Sequence, residues 1–223
     1  MKPNIQRKII KEVKEINDES EHINIYALLD EEFNLSVMMI GPSDSPYHGG
    51  FFLFKVKFTE DYPFSPPRIS FITPQFHKNC RLHPNLYQEG KVCLSILNTW
   101  DKNEWSPILT LEKIFLTIQG LLNDNPIINE PRYEDRVLGT HQEAKDYYTV
   151  ALYRTLTVAV LGMLSHPSCP PQFMTIIRKY MADNKSVYLD QISRLEAYDK
   201  QRVKCIHGEE LIDLSSLGGQ LSP

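Results

Sequence analysis

The sequence predicts an α+β fold, with a helix first, an antiparallel sheet of four strands after it and further helices towards the end. Three observations lead to this prediction. Apolar residues near the start recur every three or four positions, which is the spacing of one helical face. Four segments rich in β-branched and aromatic residues follow, each bounded by turn-forming residues, and helical spacing returns after residue 110. Strands grouped together between helices are typical of α+β domains.

The first helix is predicted over residues 5 to 16. Apolar residues lie at positions 5, 9, 10, 13 and 16, so they form one stripe along a helix. Lys8, Lys11 and Lys14 lie mostly off that stripe, on the side expected to face solvent. The helix is therefore predicted to be amphipathic.

The four predicted strands follow one another closely, so each is expected to pair with the next in an antiparallel meander. They cover residues 23–30, 33–41, 51–58 and 68–73. The loop before the last strand reads Tyr-Pro-Phe-Ser-Pro-Pro, and its prolines restrict the backbone. We expect the sheet to bury one face against a helix at about residues 110–123.

Helical spacing predicts four helices in the second half of the chain, at about residues 111–122, 142–165, 171–182 and 186–204. Prolines at positions 167, 170 and 171 separate the second of these from the third. We therefore expect a core over residues 1–165, a helical extension over 166–207 and a flexible tail over 208–223.

Composition argues against several functional classes. The 223 residues include 24 basic and 28 acidic side chains, and the net charge of −4 argues against general binding of nucleic acid or of a membrane surface. The N-terminus is charged and lacks the apolar run of a signal peptide. Cys80, Cys93, Cys169 and Cys205 form no Cys-x-x-Cys pair, so reduced thiols are expected. We expect a cytoplasmic protein, with the nucleus as a second location.

The strongest functional signal lies between residues 83 and 107. His83-Pro84-Asn85 is followed by Cys93, ten residues after the histidine, and then by Trp-Ser-Pro. Together with the first helix, a Gly-Pro turn and the proline-rich loop, these motifs stand in the order found in ubiquitin-conjugating enzymes. The sequence therefore resembles that family over roughly residues 1–165. The resemblance implies the UBC-like fold, followed here by a helical C-terminal extension.

The resemblance also implies a reaction. Cys93 would carry ubiquitin or a ubiquitin-like modifier as a thioester, a task for a thiolate that needs no metal or cofactor, because the activating enzyme consumes the ATP. Asn85 would stabilise the oxyanion that forms when a lysine attacks, or hold the active-site loop by hydrogen bonds. His83 would brace the turn. The family also has an acidic residue that assists the lysine, on the loop that corresponds to residues 125–131 here. Because this loop differs in length from that of the family, either Glu130 or Asn129 would occupy the acidic position.

The residues alone leave other interpretations open. An unpaired cysteine between Val92 and Leu94 is more often a small core residue than a nucleophile. Cys93 and His83 could also be the nucleophile and base of a thiol hydrolase. A further alternative is a catalytically silent scaffold that binds ubiquitin, although such variants lack the cysteine that is present here.

The same resemblance implies partner surfaces. The three lysines of the first helix match the basic face that the family offers to the activating enzyme. Phe64, Pro107 and Ile108 match positions at which the family binds ubiquitin ligases. Ordinary packing and solvation are the alternatives for both groups. The implied partners are ubiquitin or a ubiquitin-like protein, an activating enzyme, a ligase and substrate proteins, with no nucleic acid and no membrane.

Two apparent insertions indicate a sub-class. Compared with a minimal family member, the chain carries extra residues at 72–82 and between Leu97 and Trp105, on both sides of Cys93. With the helices after the core, these features resemble the large sub-class charged by the second, non-major ubiquitin-activating enzyme. That sub-class carries ubiquitin and, in vertebrates, a tandem ubiquitin-like modifier. The extension either selects the activating enzyme or packs on the core, and we favour packing.

Overall fold

The computed structural model describes residues 1–75, 80–100, 104–215 and 217. It has the predicted α+β class, and the first four strands and the helices follow the predicted order. The helices are α1 (Pro3–Asp18), α2 (Ser20–Ile23), α3 (Leu111–Leu121), α4 (Gln142–Arg154), α5 (Pro171–Asp183) and α6 (Lys185–Leu195). The strands are β1 (Ile25–Leu29), β2 (Leu35–Ile40), β3 (Phe51–Lys57), β4 (Arg68–Phe71), β5 (Arg202–Cys205) and β6 (Gly208–Leu211).

Strands β1 to β4 form one antiparallel sheet in chain order, which confirms the predicted meander. Successive side chains of a strand point to opposite faces, and here the two faces enter two hydrophobic clusters. Val37 and Phe54 belong to the first cluster, with residues of α1 and α3. Met38 and Leu53 belong to the second, with residues of α4, α5 and α6. The predicted burial of one face against the helix at about residues 110–123 is confirmed, and α4, α5 and α6 cover the other face as well.

A buried carboxylate joins three elements on the first face of the sheet. Glu12 lies on the inner side of α1, and its Oε2 accepts a hydrogen bond from the hydroxyl of Tyr62 at 2.7 Å. The same oxygen accepts the backbone N–H of Leu111 at 3.2 Å, where α3 begins. The ammonium of Lys8 lies 2.6 Å from the other oxygen and compensates the buried charge. These bonds hold α1, the proline-rich loop and α3 together.

The helices of the extension pack on the second face of the sheet. Phe173 and Tyr188 are almost completely buried there. The hydroxyl of Tyr188 donates to the carbonyl of Gly49 at 3.0 Å, and the amide of Gln191 donates to the carbonyl of His48 at 2.8 Å. Gly49 has a φ of +71° and lies against the Tyr188 ring, so a side chain there would be strained. The extension therefore packs on the core.

The last part of the extension differs from the prediction. The helix predicted to residue 204 ends at Leu195, and after one 3-10 turn the chain forms the hairpin of β5 and β6. The exposed and buried residues of β5 alternate, and Val203 enters the second cluster. Gly208 has a φ of +117° just after the turn, a conformation that favours glycine.

The flexible tail predicted over residues 208–223 is also wrong for its first part. Gly208–Leu211 is a strand, and Ile212 and Leu217 are fully buried in the second cluster. Burial of these two apolar side chains holds the segment against the protein. Residue 216 and residues 218–223 lie outside the described residues.

Residues 142–165 form one continuous helical run, as predicted, but its geometry changes along the way. After α4, a π-helical segment covers Thr155–Leu161 and a 3-10 turn covers Gly162–Ser165. By length and composition this run could cross a membrane, with a mean hydropathy of 1.3 in its most apolar window. Because 67% of that window is buried inside the protein, packing on the sheet accounts for its composition.

Candidate active site

His83 is fully buried beneath the turn that contains the His-Pro-Asn sequence. Its Nδ1 accepts the backbone N–H of Asn85 at 3.0 Å, and its Nε2 donates to the carbonyl of Leu121 at 2.9 Å. This pattern requires the neutral ring with its proton on Nε2. Burial lowers the pKa of His83 to about 3, and the nearby positive charge of Arg81 contributes.

His83 therefore braces the turn between the end of α3 and Asn85. Both of its nitrogens are engaged with the backbone. A base near neutral pH needs a free nitrogen and a pKa close to that pH, and His83 has neither. The geometry thus argues against a thiol hydrolase in which His83 activates Cys93.

Asn85 and Cys93 are joined by a reciprocal pair of hydrogen bonds. The backbone N–H of Cys93 donates to the carbonyl of Asn85 at 2.8 Å, and the side-chain Nδ2 of Asn85 donates to the carbonyl of Cys93 at 2.9 Å. Within the described residues, the buried Oδ1 of Asn85 has no hydrogen-bond partner. In this conformation the Asn85 amide holds the cysteine loop. This is the second of the two roles that the resemblance implied for Asn85, the first being stabilisation of the oxyanion.

The segment between Asn85 and Cys93 turns sharply at Gly90, whose φ of +97° favours glycine. The N–H of Gly90 closes a turn on the carbonyl of Tyr87 at 3.1 Å, and its carbonyl accepts the N–H of Phe71 in β4 at 2.8 Å. On the other side of Cys93, the Thr99 hydroxyl accepts the N–H of Leu94 and donates to the carbonyl of Val92. The cysteine is thus held between two braced segments.

Cys93 is enclosed in this structure, with 0% of its surface exposed. Among the described residues, its neighbours Val92 and Leu94 belong to the first hydrophobic cluster, whereas Cys93 does not. The thiol is therefore buried without being a member of that cluster.

Glu130 lies next to the His-Pro-Asn turn and is linked to it through Arg81. The Oε2 of Glu130 is 3.4 Å from Nη2 of Arg81 and 3.0 Å from Nε2 of His207. The same Arg81 nitrogen donates to the carbonyl of Pro84, and the guanidinium lies 3.9 Å from the centre of the Tyr87 ring. A carboxylate is therefore held beside the turn that precedes Cys93.

Asn129, the other candidate for the acidic position, is occupied locally. Its side-chain amide donates to the carbonyl of Pro126 at 3.2 Å, within the 3-10 turn Pro126–Asn129. It has no negative charge to offer a lysine amine. Glu130 is the better placed of the two by geometry and charge.

Sequence reasoning missed the side chains that surround Glu130. Arg81 precedes the motif by two positions, and His207 is 77 positions from Glu130 in the chain. Arg154, buried on α4, donates to the carbonyl of Arg81 at 2.9 Å and pairs with Glu210 of β6 at 2.7 Å. Only the fold brings these residues together, because they come from a loop, a helix and the C-terminal hairpin.

The lysines of α1 are all paired with acidic residues four positions later. Lys11 pairs with Glu15 at 3.5 Å and Lys14 with Asp18 at 2.5 Å, and both lysine side chains are well exposed. Lys8 is less exposed and bonds the buried Glu12. Exposed pairs of this kind contribute little and break easily, so Lys11 and Lys14 are accessible to a partner. Lys8 is mainly a structural residue.

Phe64, Pro107 and Ile108 are brought together on two neighbouring loops. Phe64 is 78% exposed and Ile108 is 77% exposed, and Pro107 is exposed beside it. The loops are joined because the indole N–H of Trp105 donates to the carbonyl of Pro63 at 2.9 Å. The structure thus leaves three exposed apolar side chains on two joined loops, and we call these three side chains the exposed apolar surface.

The two insertions that indicated a sub-class are only partly described. Residues 76–79 of the first and residues 101–103 of the second lie outside the described residues. In the described part of the chain, no group of three or more His, Cys, Asp or Glu side chains could hold a metal ion.

Comparisons with known proteins identify the same family. The sequence model of ubiquitin-conjugating enzymes matches residues 8–155. The chain is 39% identical over 156 residues to ubiquitin-conjugating enzyme E2 Z of Danio rerio, covering 69% of this chain and 46% of that protein. It is 36% identical over 173 residues to ubiquitin-conjugating enzyme E2 Z of Homo sapiens, covering 77% of this chain and 44% of that protein.

A solved structure is also similar. The E2 domain of a Toxoplasma gondii ubiquitin conjugating enzyme superposes with a TM-score of 0.53 at 28% identity, covering 69% of this chain and 98% of that one. The present chain spans less than half the length of the E2 Z proteins that it matches. With the family match over most of the chain and the His-Pro-Asn turn bonded to Cys93, this chain belongs to the ubiquitin-conjugating enzyme family.

Proposed function

We propose that this protein accepts ubiquitin or a ubiquitin-like modifier as a thioester on Cys93 and transfers it to a substrate lysine, directly or with a ligase. The observation that carries the proposal is the turn in which His83 braces Asn85 and Asn85 is bonded in both directions to Cys93. This arrangement occurs in a chain that belongs to the ubiquitin-conjugating enzyme family.

The proposed reaction has two steps. In charging, the Cys93 thiolate attacks the carbonyl carbon of the thioester that joins the modifier to the activating enzyme, and the thiolate of that enzyme leaves. In transfer, a lysine amine attacks the same carbonyl, the carbon–sulfur bond breaks and an isopeptide bond forms. The amine proton passes to a base or to water, and the Cys93 thiolate is released. No redox step occurs.

We assign two polar residues to the transfer step. Asn85 already holds the cysteine loop through its amide, and we assign the same amide as the donor to the oxyanion that forms on the former carbonyl oxygen of the thioester. Glu130 is the carboxylate proposed to orient the incoming ammonium and to accept its proton, because it is fixed beside the turn by Arg81. Both assignments extend the family resemblance to specific atoms.

The partners and the location are part of the proposal. We propose charging by the second, non-major ubiquitin-activating enzyme, in the cytoplasm and also in the nucleus. The insertions on both sides of Cys93 and the extension after the core support this sub-class. Lys11 and Lys14 are proposed to meet the activating enzyme through charge, since both are exposed on α1.

A charging assay tests the proposed function. The protein is mixed with ATP, tagged modifiers and each activating enzyme of a panel, and the products are separated with and without thiol reductant. We expect a reductant-sensitive adduct with the wild type, none with Cys93→Ala and a reductant-resistant oxygen ester with Cys93→Ser. Cys169→Ala is the matched control, because Cys169 is a partly buried cysteine of the extension, and it should be charged like the wild type.

The alternative is a scaffold that binds ubiquitin without carrying it. A folded wild-type protein that forms no adduct with any activating enzyme would contradict the proposed activity and favour the scaffold. The presence of Cys93 and Asn85 in bonded positions counts against that alternative.

The exposed apolar surface of Phe64, Pro107 and Ile108 leads to a separate prediction. Phe64→Ala and Ile108→Ala are expected to lower ligase-dependent transfer by about tenfold, because exposed apolar side chains at the centre of an interface often contribute that much. Charging by the activating enzyme should not change. Leu189→Ala, which removes an exposed apolar side chain from α6, is the matched control. If Phe64→Ala, Ile108→Ala and Leu189→Ala all lowered the rate of ligase-dependent transfer equally with every ligase of a panel, a ligase-binding role for this surface would be contradicted.

A further inference from the structure

The C-terminal hairpin contacts Glu130, the carboxylate that we assign to orient the incoming lysine. His207 lies in the turn between β5 and β6, with only 8% of its side chain exposed. Its Nε2 is 3.0 Å from Oε2 of Glu130, and its Nδ1 is 3.3 Å from the hydroxyl of Tyr147 on α4. The rings of His207 and Tyr147 meet edge to face, with centroids 5.4 Å apart.

The protonation of this cluster follows from its burial. Burial raises the pKa of Tyr147 far above its ordinary value, so its hydroxyl keeps its proton and can donate to Nδ1 of His207. Burial, with the charge of Arg81, lowers the pKa of His207, so the imidazole is neutral near neutral pH. A neutral ring that accepts at Nδ1 carries its proton on Nε2, which then donates to Glu130.

The hairpin that carries His207 is itself held in place. Arg154 is almost completely buried, and it joins Glu210 of β6 to the backbone carbonyl of Arg81. Val203 on the neighbouring strand is buried in the second cluster. Arg81 and His207 both donate to Glu130. The guanidinium of Arg154 therefore fixes these two donors relative to one another.

The two donors hold one oxygen of Glu130. Arg81 and His207 both reach Oε2, and in the described part of the chain no donor contacts Oε1. A carboxylate fixed through one oxygen presents the other in a constant direction, which is what orientation of an incoming amine requires. The His207 contact is the shorter of the two, 3.0 Å against 3.4 Å.

We propose that His207 is a positioning residue that holds the Glu130 carboxylate for attack by the substrate lysine, so that the C-terminal hairpin is part of the active site. This inference rests on the proposed function of Cys93 and Glu130. His207 does not touch the reacting atoms, and it acts through its Nε2–H bond to Glu130.

Two variants of nearly equal size separate a hydrogen-bonding role from a packing role. The side-chain nitrogen of glutamine can take the position of Nε2, whereas that of asparagine can take only the position of Nδ1. In single-turnover discharge of the charged protein to free lysine, we expect His207→Asn to be slower by about tenfold. His207→Gln should retain most of the wild-type rate.

The choice of nucleophile excludes a general loss of structure. Hydroxylamine is largely unprotonated near neutral pH and needs no base, so its reaction with the thioester should be the same in His207→Asn and the wild type. Charging should also be unchanged. In a Glu130→Gln background, the His207→Asn change should cause no further loss, because both act through one bond.

The outcomes distinguish the inference from the proposed function. No thioester on the wild-type protein would overturn both. Normal charging with equal lysine discharge in His207→Asn and the wild type would overturn the inference alone, as would equal losses in the Asn and Gln variants. If His207→Asn does not fold, nitrogen NMR of the wild type shows which ring nitrogen of His207 carries the proton. A proton on Nδ1 rather than Nε2 would overturn the inference.

Discussion

A chain that ends after Ser165 is expected not to fold. The second hydrophobic cluster takes seven buried apolar side chains from the residues that this deletion removes, and each of them contributes roughly 1.5–3 kcal/mol on burial. Together they contribute about 10–20 kcal/mol, as much as the whole free energy of unfolding of an ordinary domain. These side chains are Phe173, Ile177, Tyr188, Leu195, Val203, Ile212 and Leu217.

The deletion also removes α5 and α6 from the second face of the sheet, where α4 and the π-helical segment after it would then remain beside Met38 and Leu53. We expect the shortened chain to aggregate or to lack a cooperative transition in urea, followed by circular dichroism. A chain that ends after Leu217 keeps the buried side chains of the second cluster and is the control, with a transition close to that of the full chain. Cooperative unfolding of residues 1–165 alone would show instead that the core is an independent domain.

Acid is expected to destabilise the wild-type protein much more than a His83→Gln variant. The pKa of buried His83 is lowered to about 3 in the folded state, mainly by desolvation. The pKa of an unfolded histidine is about 6.5. Between these values the unfolded chain binds a proton at His83 that the folded state excludes.

The stabilisation from neutral His83 is therefore complete above about pH 6.5 and is lost as the pH falls towards about 3, by up to about 1.4 kcal/mol per pH unit. The variant lacks this loss, although at neutral pH it should be less stable by about 2 kcal/mol, because glutamine cannot reproduce both backbone bonds of the ring.

Urea midpoints at about pH 7, 6 and 5 measure the effect. His48 and His207 also have lowered pKa values through burial, so the wild type and all variants share part of the pH dependence. The difference between the wild type and His83→Gln isolates His83. His22→Gln removes an exposed imidazole and should follow the wild type. Parallel curves for the wild type and His83→Gln would contradict the assignment of His83 as a buried neutral brace.

The elements of the first half were predictable because their patterns are local. The stripe at Ile5, Ile9 and Val13 predicted α1, and the β-branched and aromatic segments predicted all four strands of the meander. The error at residues 196–204 arose because a short strand carries little periodic signal. Burial of Val203 and Ile212 in the second cluster holds the hairpin against the protein.

Only part of the candidate site could be predicted from the sequence. His83, Asn85 and Cys93 lie within one loop, so their spacing in the sequence is informative by itself, and the fold adds only the bonds between them. The roles of Arg81 and His207 could not be inferred from spacing. Both meet at Glu130 because α4 and the hairpin pack beside the loop.

The sequence by itself determined the fold class and the family resemblance, and it predicted Cys93 as the nucleophile, because helical and strand periodicities and the His-Pro-Asn motif all lie within short segments. The tertiary structure alone decided that the sheet is buried on both faces, that Cys93 is enclosed and that His207 contacts Glu130. Each of these depends on contacts between residues far apart in the chain, whose free energy comes from burial and bonding in the folded state rather than from local preference.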